Sequence, residues 1–122
     1  MDEIARERRR LRRILRSKFG NSEDATFAKM IFMTAVHFHF GRPIKEEDRP
    51  HYLALLERLP KEAGDLRVFS VQMYDTDTVP HWRVIFTDGP TLHESFRRFP
   101  TEAAAHEYAS HFLASWAEIR ER

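Results

Sequence analysis

Between Ala25 and Phe40, 11 of 16 residues are apolar. At about 100° per residue they cover nearly the whole circumference of a helix, and a helix apolar all round has to be surrounded by protein. This segment therefore predicts a buried central helix over 22–40. Ser22 is its expected cap, Glu23 and Asp24 stand in its first turn, and Gly41 followed by Pro43 stops it. Val36-His37-Phe38-His39-Phe40 also alternates with period two. With no turn signal before Gly41, helix remains the reading.

The other elements are placed around that helix. Residues 2–19 read as a helix capped by Asp2, with Ile4, Leu11 and Leu15 in one narrow apolar stripe and Phe19 at its edge. Gly20-Asn21 ends it. A third helix, 48–59, buries Tyr52, Leu53, Leu56 and Leu59, and Pro60 closes it. Lys61–Asp65 is a polar connection, after which the period changes from helical to alternating.

Strands are expected at 66–74, 81–87 and 91–99 as an antiparallel meander over 66–99. Asp88-Gly89 marks the second connection, and Pro90 lengthens it. In the first strand Phe69, Val71 and Met73 share a face; in the second, Trp82, Val84 and Phe86 do; in the third, Leu92 and Phe96. The opposite face gathers His81, Arg83, Thr87, His93, Ser95 and Arg97. Thr101 caps a last amphipathic helix, 101–120, expected to lie on the sheet through Tyr108, Ala109, Phe112, Leu113, Trp116 and Ile119. The fold class is α+β, and residues 1–122 read as a single domain with a basic N-terminal helical arm over 1–20.

Charge separates that arm from the rest. The chain as a whole carries only +1, but residues 1–20 hold eight bases against three acids, a net +5, leaving −4 elsewhere. Arg6, Arg9, Arg10, Arg12, Arg13 and Arg16 fan across the side of the helix opposite its apolar stripe. Guanidinium groups so arranged suit phosphates along a strand or in a duplex groove, and suit an acidic protein surface equally. The competing reading pairs them with the protein's own acids.

Several classes are disfavoured. Cysteine is absent, which removes disulfides, thiolate zinc sites and a cysteine nucleophile, and fits a cytoplasmic protein. No apolar run approaches ~18 residues and no signal-peptide h-region is seen, so neither a membrane span nor a membrane partner is expected. The seven histidines lack metal-ligand spacing: His37/His39 and His106/His111 diverge on a helix. No phosphate-cradling glycine loop or nucleophile elbow occurs, and His81 or His93 beside Glu94 is the nearest approach to an acid/base couple. Neither a cofactor, a metal nor enzymatic activity is expected.

The segment Val68–Trp116, with three strands and a helix opening on Phe99-Pro100-Thr101-Glu102-Ala103-Ala104, resembles the arm-binding domains of tyrosine recombinases. That resemblance implies that the exposed sheet face, here including Arg83 and Arg97, enters a major groove while the helix backs it. Asp75, Asp77, Asp88 and Glu94 depart from such a basic face. The expected function is nucleic-acid binding, DNA or RNA, through Arg6, Arg9, Arg10, Arg12, Arg13 and Arg16, with Arg83 and Arg97 secondary. The alternative is a phage or plasmid inhibitor or adaptor, of anti-defence type, engaging an acidic surface of a host protein or nucleoprotein complex. The Ile4/Leu11/Leu15 stripe is also suited to pairing two copies as a homodimer.

Overall fold

Gly20 and Gly41 set the chain's first two reversals, both with left-handed backbone (φ 82° and 64°), which glycine adopts without steric penalty. The computed structural model describes residues 2–59, 61, 64–75 and 79–120; Pro60 and Asp77, invoked above, lie outside them. Helices α1 (Glu3–Phe19) and α2 (Ser22–Phe40) are followed by a 3₁₀ turn (Glu46–Asp48) and α3 (Arg49–Arg58). Strands β1 (Arg67–Tyr74), β2 (His81–Thr87) and β3 (Leu92–Glu94) then precede α4 (Glu102–Arg120). The fold is α+β, with the sheet antiparallel in the order β1-β2-β3. The chain divides into two compact units: residues 1–63 with 119–122, and residues 64–118.

In the helical unit α1 packs on α2 and α3. Asp2 caps α1 as expected, its carboxylate accepting from the Ile4 N–H at 3.1 Å. The cap of α2 is Asn21 rather than Ser22, because the Asn21 side-chain oxygen reaches the Asp24 N–H at 2.8 Å. Ala25, Phe27, Ala28, Ile31, Phe32 and Val36 of α2 are buried, and the Val36–Phe40 segment is helical. Leu11 and Leu15 lie fully inside this unit. Leu11 and Leu15 of the α1 stripe are thus buried within the chain, while Ile4 is half-buried.

In the second unit Phe112 of α4 sits on Phe86 of β2, ring centroids 5.0 Å apart. The Trp116 indole N–H donates to the Gly64 carbonyl at 3.2 Å. The last helix therefore backs the sheet over its Val84/Phe86 face, and Thr101 caps it through the Ala104 N–H.

Two expectations fail in the strands. A bulge between Val68 and Ser70 brings Val68 opposite Phe86, so Val68 takes the core side and Phe69 is left 58% exposed. One extra residue reverses the alternation on its far side. The third strand is shorter than 91–99. Ser95 still donates its N–H to Val84, but its hydroxyl accepts from the Arg97 N–H at 3.2 Å. That local bond competes with the ladder, and pairing resumes only at Phe99 opposite Trp82. Because His93 pairs with the core residue Phe86 and Leu92 with Thr87, His93 takes the inner face; His93 and Ser95 are buried, and Leu92 and Phe96 are exposed.

Candidate functional site

The arginines of α1 are exposed because of where the helix puts them. Counting about 100° per residue, Arg6, Arg9, Arg12, Arg13 and Arg16 fall within an arc of about 120°, spread over about 15 Å of axis. All five are exposed. Among the described residues Arg6, Arg12, Arg13 and Arg16 form no ion pair with a carboxylate. Arg9 Nε donates to the Ala5 carbonyl one turn back.

Arg10 does different work. Its Nε donates to Glu7 at 2.7 Å, and one Nη reaches the carbonyls of Leu56 and Glu57. Those carbonyls lie in the last turn of α3, where they have no helical N–H to accept from. A cation also suits the negative end of the α3 dipole. Arg10 therefore ties α1 to α3 and is set apart from the open arginine face.

Two residues that the sequence did not single out extend that face. Arg8, at the edge of the apolar stripe, donates from Nε and Nη2 to the Tyr52 hydroxyl, with its guanidinium 5.5 Å from the ring centre. Lys29 of α2 has its ammonium held below the usual lysine range, first by partial burial and then by the positive charges of Arg12 and Arg8. Like charges thus face each other across α1 and α2. Only Arg8's place on the helical wheel signalled its position; the approach of Lys29 is a tertiary fact.

The sheet face expected to help is organised differently. Arg83 donates to Glu94 at 2.9 Å and to the His81 Nε2 at 3.0 Å, and lies over the Tyr74 ring. Accepting at Nε2 fixes His81 as the Nδ1–H tautomer, aimed at the Val79 carbonyl. Burial first, and then the adjacent Glu94 carboxylate, raises the Tyr74 phenol above its normal range. These four groups are turned toward one another. Arg97 stacks on Phe99 and Tyr108.

Nor do the histidines lie on a solvated strand face. His81 and His93 are buried, and His93 pairs with Asp88 at 3.2 Å. His93 and Glu94 point to opposite faces of β3, so they form no couple. Among the described residues no cluster of three metal-ligating side chains occurs, and no helix is long and apolar enough to cross a membrane.

No known protein family, curated protein or solved structure matches the chain. Its own geometry defines one exposed, densely cationic helix face and, on the sheet, a polar cluster whose charges are internally balanced.

Proposed function

We propose that this protein binds nucleic acid through Arg6, Arg9, Arg12, Arg13 and Arg16, as a non-enzymatic regulatory module of a reducing, cytoplasmic environment. The observation that carries the reading is the five-arginine arc on α1, four of whose members lack a carboxylate partner among the described residues. Holding so many like charges together disfavours the free state, and a row of phosphates relieves that repulsion while releasing counterions. Arg10 belongs to the scaffold in this account. Arg83 contributes little, since it is ion-paired to Glu94, and Arg97, stacked on Phe99 and Tyr108, is secondary.

The test is direct binding of labelled single- and double-stranded DNA and RNA to the native chain and to a variant with Arg9, Arg12, Arg13 and Arg16 all changed to Gln. The native chain should bind at least one of the four probes, and the folded variant should lose that binding by 100-fold or more, on the order of what several phosphate contacts contribute. Equal binding by the two proteins overturns the proposal. Recovery of one stoichiometric protein partner from the host, surviving nuclease treatment and lost in the variant, would transfer the same face to an acidic protein surface.

A further inference from the structure

A groove of about 520 Å³ opens within the helical unit, between the start of α1, the end of α2 and the turn leading into α3. That volume lies in the range of small-molecule sites, roughly 300–1,000 Å³. Its charge is unbalanced. Arg8, Lys45 and Arg49 line it against a single acid, Glu46. Arg49 is ion-paired to Asp2, but Arg8 is held by a phenol and a ring. Such partners orient a guanidinium without neutralising it, and Asp2, whose carboxylate also acts on Arg8, is itself ion-paired to Arg49. The walls are apolar, formed by Ile4, Pro43 and Ile44, with the His37 ring beside them.

We propose that this groove binds a phosphate monoester carried on a planar or apolar body, the chemistry of a nucleotide, with the phosphate between Arg8 and Lys45 and the ring against Pro43 and Ile44. A carboxylate alone would use the cations but leave the walls empty, and an apolar ligand would leave Arg8 unanswered. The site uses none of Arg6, Arg9, Arg12, Arg13 and Arg16; only Ile4 and Arg8 reach it from α1. Two sources supply the chemistry: a free nucleotide, or the phosphorylated end of a strand.

Calorimetry with adenosine 5′-monophosphate and with adenosine, alongside oligonucleotides bearing a 5′-phosphate or a 5′-hydroxyl, separates them. If the ligand is free, the monophosphate should bind at least tenfold tighter than the nucleoside. If it is a strand end, the phosphorylated oligonucleotide should outrank the hydroxyl form by a similar factor while the monophosphate binds weakly. In either case Lys45→Ala should remove about fivefold of the preference, as expected for one partly screened ionic contact. Because Lys45 is exposed, that variant should fold normally. Arg8→Gln should remove more, with circular dichroism confirming that α1 is retained. The four-arginine variant should keep the preference, so failure of the α1 reading leaves this one standing. No phosphate preference in either pair, or a preference untouched by Lys45→Ala, overturns the proposal.

Discussion

Within α1, neighbouring arginines have separate employments, and a substitution reveals which. Arg10 spans to α3, so Arg10→Ala should cost about 1 kcal/mol, the scale of a charge-assisted hydrogen bond discounted for its partial exposure. Arg13 has no partner of that kind, and Arg13→Ala should cost under about 0.5 kcal/mol. Urea melts of the two variants check this. Equal losses would mean that the open arginines also serve the fold. Asp48 offers a sharper residue-level test. The bidentate Arg42 contact, at 2.5 and 2.7 Å, and the Lys45 backbone N–H hold its carboxyl at about 2. Because the folded value lies below the ordinary 3.8, the unfolded chain binds this proton more readily. The stabilisation is therefore complete above about pH 4 and is lost as pH falls from there toward 2. Asp48→Asn should lower Tm at neutral pH and flatten the dependence of Tm on pH in that window; parallel curves for the two proteins would contradict the assignment.

At the scale of elements, the clearest commitments concern α4. Phe112 and Trp116 are buried against the sheet unit, one on the Phe86 ring and the other bonded to the Gly64 carbonyl. Phe112→Ala or Trp116→Ala should cost about 3–5 kcal/mol, the usual penalty for emptying a large aromatic site. Thermal unfolding measures it, and a loss under about 1 kcal/mol would mean that the helix does not pack there. The elements also show where sequence is a sufficient guide. Helices announced themselves through long periods and through Asp2, Gly20, Gly41 and Thr101 at their ends. Strand faces were less legible, because parity is lost at a single bulge: Phe69 sits outside and Val68 inside although the alternation pointed the other way. Likewise Ser95 looked like an ordinary strand residue, and only its hydroxyl bond to Arg97 explains why β3 stops. Such effects depend on one hydrogen bond of about 1 kcal/mol and leave no periodic trace.

For the molecule as a whole, charge asymmetry was visible at once, whereas its use was only half visible. Helical geometry alone places Arg6, Arg9, Arg12, Arg13 and Arg16 opposite Leu11 and Leu15. That Arg10 would turn to the end of α3, that Arg8 would seat on Tyr52 and that Lys29 would approach both Arg8 and Arg12 required the packed structure. On the sheet Tyr74, His81, Arg83 and Glu94 turn to one another, and α1 carries an exposed cationic face. Its purpose is tested most directly by the salt dependence of affinity for a nucleic-acid probe. For duplex DNA, each phosphate contact contributes about 0.9 to the slope of log K against log salt concentration. The native chain should give a steep negative slope. Replacing Arg9, Arg12, Arg13 and Arg16 by Gln should reduce it by about 3 to 4. A slope near zero for the native chain, or the same slope for both proteins, would contradict the account.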